Sequence, residues 1–262
     1  MARRSVKDAK IIVTGASSGI GRALAIQLCQ RGANVLATAR RLDRLTELQE
    51  VCHSLPGRLT ILQGDLTSDI HRQAILQQAT SQWNALDVLI NNAGAGAIGR
   101  FDVAKSERLR LVMEIDFFAP VELTRICLPL LERGKRPAIL NIGSVLSHRA
   151  VPNKSEYCAA KFAMRGWAES LRVELASKSI EVLMLSPSTT SSEFLDSLVD
   201  TKSDSKSESF GSMTPERVAQ LAISALVRSK REMILSLGGK GLVWAGRLFP
   251  RLTDRILGKF AQ

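Results

Sequence analysis

The chain alternates between short apolar runs and longer segments in which apolar residues recur every three or four positions. The short runs are rich in Leu, Ile and Val and are flanked by Gly, Pro or polar residues, which favours strands buried on both faces. The predicted strands are 10–15, 34–39, 59–64, 86–91, 137–143 and 180–186. The predicted helices include 20–31, 69–82, 104–132, 156–178 and 214–227.

Strand and helix alternate along most of the chain, which predicts right-handed crossovers and a parallel sheet. We therefore expect an α/β fold, a single-domain Rossmann-type doubly wound parallel sheet with helices on both faces. This domain is predicted to span residues 1–238, with a basic amphipathic tail at 239–262. The Ser-rich, charged segment 197–213 interrupts the pattern and predicts a mobile loop, part of a substrate lid at about 188–213.

The net charge of +11 lies mostly at the two ends of the chain. Residues 1–10 carry +3, residues 228–262 carry +6, and the long middle segment carries only +2. Basic ends suit nucleic acid, anionic lipid or an acidic partner, but no zinc-finger or RNA-recognition motif accompanies them, so we expect no nucleic-acid binding. The cysteines lack metal-ligand spacing and no apolar run is long enough to span a membrane, which favours a cytoplasmic protein with reduced thiols and no metal.

A glycine-rich stretch, TGASSGIG at 14–21, follows the first predicted strand and opens a helix. Gly15 permits a tight turn, Gly19 permits close approach of a ligand, and Gly21 permits close packing of the helix on the strand. The helix N-terminus then offers amide donors and a positive dipole to a pyrophosphate. The residues assigned to this site are Gly15, Ser17, Ser18, Gly19, Ile20 and Gly21.

The end of the second predicted strand indicates which dinucleotide binds. An acidic residue there would bind the ribose 2′-hydroxyl of NAD, but the sequence reads TARR, with Arg40 and Arg41 and no carboxylate. A guanidinium matches a 2′-phosphate in charge and geometry, so Arg40 predicts a preference for NADP(H), with NAD(H) as the alternative. Arg41 alone is better explained as a solvated residue at the start of a helix.

Five motifs together resemble the short-chain dehydrogenase/reductase family. They span about residues 8–190 in the family's order, and the resemblance implies interconversion of a carbonyl and an alcohol with NAD(P)(H), by a homodimer or homotetramer. The motifs are TGASSGIG at 14–21, GDLTS at 64–68, NNAG at 91–94, NIGS at 141–144 and YCAAK at 157–161.

The resemblance also implies cofactor contacts outside the glycine-rich loop. In the family the Asp of GDL contacts the adenine, NNAG stabilises the sheet beside the cofactor, and a Pro and a Thr after the last of these strands serve the carboxamide region. Here Ser192 takes the position of that Thr, and Ser188 replaces a Gly. The implied residues are Asp65, Leu66, Asn92, Ala93, Gly94, Pro187 and Ser192, with Tyr157 and Lys161 from the catalytic motif.

Ser144, Tyr157 and Lys161 are the residues that the resemblance makes catalytic. Tyr157 and Lys161 are four apart in a predicted helix, so their side chains point the same way. Reduction of a carbonyl needs a hydride and a proton, and a phenol with a pKa of about 10 exchanges protons poorly at neutral pH. A nearby ammonium favours the phenolate and lowers that pKa, while the Ser144 hydroxyl can bond the substrate oxygen. Lys161 would also hold the nicotinamide ribose.

One position departs from the family pattern: MEIDFFAP at 113–120 has Asp116 where the family has Asn. In the family this residue supports a water linked to the Lys, largely through its main-chain carbonyl, which Asp retains. The substitution removes two amide donors and adds a charge that either pairs with Lys161 or is neutralised by protonation. We expect a working enzyme with an altered pH profile; the alternative is a weak or inactive NADP(H)-binding regulatory or scaffold protein.

Apolar groups near the predicted lid, at 193–199 with Phe210 and Met213, favour a bulky apolar substrate such as a steroid, retinoid or lipid-like ketone. His53 and His71 have no evident partners in the sequence and are expected to be exposed.

The tail segment 241–260 carries an apolar residue at every fourth position beside a row of basic residues, and Pro250 either kinks the helix or starts a second one. Two interpretations remain open: a helix packed on its own domain or on a second subunit, and a peripheral membrane contact. The apolar row is Leu248, Leu252, Ile256 and Phe260.

Overall fold

Parallel strands form the centre of the protein, in a computed structural model that describes residues 4–188, 190 and 212–260. The strands in these residues are β1 (Lys10–Thr14), β2 (Asn34–Ala39), β3 (Arg58–Gln63), β4 (Val88–Asn91), β5 (Ala138–Ile142), β6 (Glu181–Ser186) and β7 (Glu232–Ile234). They make one sheet in the order β3–β2–β1–β4–β5–β6–β7, and every neighbouring pair is parallel. The predicted parallel sheet is confirmed.

Helices cover both faces of the sheet, which confirms the doubly wound Rossmann-type fold. A π-helical segment, Glu114–Phe118, joins two of them. The helices are α1 (Gly19–Gln30), α2 (Leu42–Cys52), α3 (Asp69–Trp83), α4 (Ser106–Met113), α5 (Ala119–Glu132), α6 (Ser155–Glu174), α7 (Pro215–Val227), α8 (Leu237–Leu248) and α9 (Pro250–Gly258).

Apolar residues of the central strands alternate between two core layers. In β1, Ile11 and Val13 pack in the layer that contains residues of α1, α2 and α7. Ile12 packs on the opposite side, with Ile75 of α3 and Leu123 of α5. All three β1 residues are fully buried, which explains why this strand appears in the sequence as a continuous apolar run.

The order of the strands reverses at β1, which pairs with β2 on one side and with β4 on the other. The connections that leave β1 and β4 therefore run to opposite sides of the sheet. A crevice forms between such connections outside the carboxyl ends of the strands, and it is the usual ligand site in open α/β sheets.

The predicted continuous helix at 104–132 is wrong, because the π-helical segment interrupts it. The N–H of Ala119 donates to the carbonyl of Glu114, five residues back, instead of four. Pro120 has no N–H and cannot donate to the carbonyl of Asp116, four residues back, so the regular ladder is interrupted at this point. The segment contains Asp116, which it directs into the protein interior.

The edge strand β7 is absent from the predicted strands because three residues are too few to show a two-residue period. Its position is set by long-range pairing, with Ser186 of β6 opposite Ile234. Directly after it, the N–H of Leu235 donates to the carbonyl of Ser186 at 3.1 Å. This pairing brings the chain from the sheet edge to α8.

The predicted lid lies mostly outside the described residues, as do Ser192 and Phe210. At its two ends, Thr190 and Met213 form an isolated parallel bridge. The predicted helix at 214–227 is confirmed as α7, and the Thr214 hydroxyl accepts from the N–H of Arg217 at 3.2 Å.

The tail forms two helices, because Pro250 begins α9 after a break at Phe249. Ser236 caps α8 by accepting the N–H of Gly239 at 2.9 Å. In the part of the chain that the structure describes, no helix has the length and apolar content needed to cross a membrane.

A buried ion pair joins α4 to the start of α6. The guanidinium of Arg108 contacts one carboxylate oxygen of Glu156 at 2.9 and 2.6 Å, and both side chains are almost completely buried. The second oxygen of Glu156 accepts from the Ser155 hydroxyl at 2.8 Å. The pair therefore orients the first turn of α6.

Replacing Arg108 by Met is expected to lower the free energy of unfolding by about 3–5 kcal/mol, because it leaves the Glu156 carboxylate buried without its cation. Chemical denaturation followed by circular dichroism measures this change. The matched control is Arg125→Met, which removes an exposed pair with Glu122 and is expected to change the midpoint little. Equal stability of the two variants would contradict the prediction.

Candidate active site

A cavity of about 740 Å³ opens at the carboxyl edge of the sheet, where the connections from β1 and β4 diverge. Its wall includes residues that directly follow six of the strands, which is the expected position for a ligand site in this fold. These residues are Gly15, Arg40, Gly64, Asn92, Gly143 and Pro187.

Most of the residues predicted from sequence come together in this cavity. Gly21 and Asp116 do not line it, and Ser192 lies outside the described residues. The predicted residues that line the cavity are Gly15, Ser17, Ser18, Gly19, Ile20, Arg40, Asp65, Leu66, Asn92, Ala93, Gly94, Ser144, Tyr157, Lys161 and Pro187.

The glycine-rich turn needs glycine for two different reasons. Gly15 has a φ of +67°, and a Cβ on it would lie 2.8 Å from the Cα of Ala93. At Gly21 a Cβ would lie 2.2 Å from the carbonyl oxygen of Gly15, so this residue lets α1 pack on the turn. Gly21 thus holds the cavity-lining turn in place without lining the cavity itself.

The start of α1 fits an anionic group. The helix begins at Gly19, which lines the cavity, and the side chain of the N-cap residue Ser18 makes no capping hydrogen bond. The first amide groups of the helix therefore keep donors for a ligand, and the helix dipole favours a negative charge there. These residues fit a dinucleotide pyrophosphate.

Thr14, which is not among the predicted site residues, connects the two sides of the crevice. Its hydroxyl oxygen accepts the N–H groups of Asn92 and Ala93, each at 3.0 Å. The Asn92 amide donates in turn to the carbonyls of Thr14 and Gly15, at 2.9 and 3.2 Å. The sequence shows only a Thr at the end of a predicted buried strand. Its hydrogen-bond partners lie 78 and 79 residues further along the chain.

Asp65 lines the far end of the cavity, and His71 packs behind the neighbouring residues Gly64 and Thr38. The Asp65 carboxylate is oriented by two bonds from Thr67, each 2.9 Å. The expected exposure of His71 is wrong: its ring is buried, lies against Gly64, and contacts the Thr38 hydroxyl at 2.7 Å. Burial lowers the pKa of His71, with a smaller opposite effect from Asp65, which favours the neutral form of this buried ring.

Both arginines after β2 line the cavity. Arg41 is exposed at the start of α2, as expected, and its guanidinium also approaches the Ser17 hydroxyl at 3.3–3.4 Å. This contact places a cation against the glycine-rich loop. It depends on a loop 24 residues earlier in the chain, so the sequence around Arg41 alone could not reveal it.

Helix α6 presents Tyr157 and Lys161 to the cavity on one face. The Lys161 ammonium lies 5.4 Å from the centre of the Tyr157 ring. Ser144 follows β5, hydrogen-bonds Tyr157 through its side chain, and accepts from the N–H of Leu146 at 3.1 Å. The three side chains that the motifs single out are therefore adjacent.

Asp116 lies behind this group, 1% exposed, with one carboxylate oxygen 3.5 Å from the Lys161 ammonium. The same oxygen accepts from the N–H of Ala95 at 2.9 Å. A Cβ on Gly94 would lie 2.6 Å from that oxygen, so the glycine is required for this close approach. The other oxygen, Oδ2, has no hydrogen-bond partner among the described residues.

The charges of this group shift one another's pKa values. Burial raises the pKa of Asp116, and Lys161 offsets part of that rise. Burial alone would lower the pKa of Lys161, but Asp116 and Tyr157 outweigh it and the pKa is raised. For Tyr157, burial raises the pKa, Lys161 lowers it, Asp116 raises it further, and the bond from Ser144 lowers it.

The sheet is parallel, with a glycine-rich turn at the point where the strand order reverses, and the wall of the crevice carries a Ser, a Tyr and a Lys. These features define an oxidoreductase that binds a nicotinamide dinucleotide. Residues 9–203 match the family described as short chain dehydrogenase, and the chain belongs to that family.

Relatives and a solved structure agree with this assignment. The chain is 31% identical to an uncharacterized oxidoreductase of Bacillus subtilis, over 98% of this chain and 73% of that protein. It is 32% identical to a 3-ketodihydrosphingosine reductase of Bacteroides thetaiotaomicron, over 71% of this chain and 65% of that protein. A short-chain dehydrogenase/reductase of Burkholderia phymatum, solved with NAD, superposes with a TM-score of 0.84 at 19% identity, covering 97% of this chain and 96% of the other.

Replacing Asp116 by Asn is expected to shift the acidic limb of kcat/KM for alcohol oxidation to lower pH. The variant keeps an acceptor for Ala95 but removes the charge that raises the pKa of Tyr157. Oxidation needs the phenolate, which then forms at lower pH. The measurement is the pH profile of both enzymes with an alcohol that they oxidise.

The control for this comparison is Asp102→Asn, because Asp102 is exposed and does not line the cavity. Its profile is expected to match that of the unchanged protein. An unchanged profile for Asp116→Asn, or a shift to higher pH, would show that the direct field of the carboxylate on Tyr157 is not the dominant effect.

Proposed function

We propose that the protein is an NADP(H)-dependent carbonyl reductase or alcohol dehydrogenase for an apolar substrate. The observation that carries this proposal is the contact of Tyr157 with Ser144 on one side and Lys161 on the other, on the wall of the cavity. All of the groups that general acid–base transfer to a carbonyl oxygen requires are present.

The cofactor, when bound, supplies or accepts the hydride. The chain's own residues handle the oxygen and the proton. The Ser144 hydroxyl orients the substrate oxygen and stabilises the charge that develops on it. Tyr157 donates a proton to that oxygen in reduction and removes it in oxidation, and the Lys161 ammonium favours the phenolate form.

Asp116 raises the pKa of Lys161 and so keeps that side chain charged. It also raises the pKa of Tyr157 directly, which disfavours the phenolate. The second effect supports the alternative of a weak or inactive NADP(H)-binding regulatory protein. The intact group of Ser144, Tyr157 and Lys161 supports the enzyme. Turnover therefore distinguishes the two functions.

An apolar substrate is supported by a group of six aliphatic side chains on the cavity wall. The named ketone substrate of the Bacteroides relative, a sphingoid base, is consistent with a lipid-like ketone. Steroid and retinoid carbonyls share that apolar character. The aliphatic residues are Ile98, Ile115, Val145, Leu146, Val151 and Leu242.

A preference for NADP(H) is supported by Arg40 and Arg41, which line the same end of the cavity as Asp65. No acidic side chain directly follows β2, where NAD-binding sheets place one. Two guanidinium groups at this position match the charge and geometry of a 2′-phosphate.

A homodimer or homotetramer is supported by exposed apolar side chains on neighbouring helices. A monomer would leave this surface in water, whereas a second copy would cover it. The side chains are Leu109 and Leu111 of α4, Phe118 of the π-helical segment and Phe162 of α6.

Replacing Tyr157 by Phe is expected to lower kcat at least about a hundredfold, because the proton donor is lost while the ring remains. NADPH absorbance is followed with a panel of apolar ketones and aldehydes. Val173→Ala, at an exposed position of the same helix outside the proposed subunit contact, is the control and is expected to keep full activity. No turnover of any compound by the unchanged protein, with NADPH bound, would favour the regulatory alternative.

Replacing Arg40 and Arg41 together by Ala is expected to weaken NADPH binding at least about tenfold, because the loss of even one charge-assisted hydrogen bond has an effect of that size. NADH binding is expected to change little. Titration of cofactor fluorescence measures both. Arg44→Ala is the control, since Arg44 lies in the first turn of the helix that follows, α2, and pairs with Glu47. An equal loss for both cofactors would contradict the 2′-phosphate role.

A further inference from the structure

Large exposed apolar side chains occur on helices α8 and α9, on Phe249 between them and on Phe260 after them. Each is between 49% and 71% exposed. We name this surface the tail face, and its members are Trp244, Leu248, Phe249, Leu252, Ile256 and Phe260.

The tail face is exposed although each of the two helices has a contact with the domain. Val243 of α8 and Thr253 of α9 are buried beneath them. Arg149, from the loop before α6, pairs with Asp254, and Gly246 leaves room for its side chain. The exposed apolar row is therefore a property of the folded tail, and its own domain does not cover it.

Basic residues accompany this apolar row. The segment 237–260 contains five basic residues and one acid, and that acid, Asp254, is paired with Arg149. The Arg247 guanidinium lies 5.9 Å from the ring of Trp244, which keeps a cation beside an exposed aromatic group. The basic residues are Lys240, Arg247, Arg251, Arg255 and Lys259.

The exposed apolar side chains and the neighbouring basic residues together indicate what kind of partner the tail face binds. A second copy related by a two-fold axis would bring the same basic groups towards each other in a self-complementary contact. An anionic lipid surface supplies negative charge to the basic row and an apolar layer to the side chains between them. Trp and Phe at the level of the headgroups are typical of such contacts.

We propose that the tail face docks on an anionic lipid bilayer, with Trp244, Leu248, Leu252 and Ile256 in the headgroup–acyl boundary and the basic row at the phosphates. The helices lie along the surface and do not enter further. Docking needs only the folded chain, so it is independent of turnover.

The docked orientation also places the cavity near the lipid. Gly238, Gly239 and Leu242 of α8 line the cavity, while Trp244 and Leu248 of the same helix face outward. One helix therefore separates the cavity from the proposed bilayer contact. Delivery of an apolar substrate from the lipid phase rests on the proposed function, whereas docking itself does not.

Flotation of the full chain with lipid vesicles tests the docking. We expect the protein to float with vesicles of phosphatidylcholine and phosphatidylserine at low salt and to float much less with phosphatidylcholine alone. Replacing Arg251 and Arg255 by Gln is expected to lower partitioning onto the anionic vesicles about thirtyfold, roughly fivefold for each charge. Recovery of the unchanged protein in the soluble fraction would overturn the proposal.

A matched pair of variants tests the apolar contribution. Leu252→Ser with Ile256→Ser is expected to abolish flotation, whereas Ile70→Ser with Val173→Ser, exposed residues of α3 and α6, is expected to preserve it. Thermal unfolding and cofactor binding verify that both variants are folded. Equal flotation of the two variants would show that binding does not use the tail face.

Two further readouts separate lipid from a second copy. Vesicles with brominated acyl chains are expected to quench tryptophan fluorescence, and Trp244→Phe is expected to remove that quenching. Light scattering gives the molar mass without lipid, and Leu252→Ser with Ile256→Ser is expected to leave it unchanged. A lower mass in this variant would mean that copies of the chain cover the tail face, which would overturn the proposal.

Discussion

The junction between the ends of β1 and β4 is the constraint on which the site depends. Thr14 is fully buried at the end of β1, and its hydroxyl accepts two N–H groups from the segment after β4. The Asn92 amide returns two bonds to the segment after β1. Since these segments form the glycine-rich turn and the loop that contacts Asp116, one buried polar junction sets both the cofactor cradle and the position of the ion pair.

Burial and charge oppose each other around Tyr157. Removing the phenol from water raises its pKa, and the Lys161 ammonium is the main group that lowers it. A buried lysine tends to lose its proton, and Asp116 counteracts this tendency. The carboxylate therefore lowers the pKa of Tyr157 indirectly by keeping Lys161 charged, and raises it directly through its own field. Only the difference between the two effects acts on the proton transfer.

The sheet and most of the cavity residues were predictable, because burial on both faces leaves apolar runs in the sequence and the site residues belong to short motifs at strand ends. Other features depend on contacts between distant segments. The bond between His71 and Thr38 crosses 33 residues, and the approach of Arg41 to Ser17 crosses 24. Local sequence therefore suggested an exposed His71, which the folded chain buries, and it could not show that the exposed Arg41 reaches Ser17.

The π-helical segment explains why an acid is tolerated at position 116. Pro120 cannot donate to the carbonyl of Asp116, so the main chain here is shaped by a residue that the substitution leaves untouched. The side chain of Asp is nearly the same shape as that of Asn, and one oxygen still accepts from Ala95. The change is thus one of charge and hydrogen-bond donors at almost constant geometry. The substitution therefore affects the proton transfer, whereas neither the fold nor the cofactor cradle requires the amide.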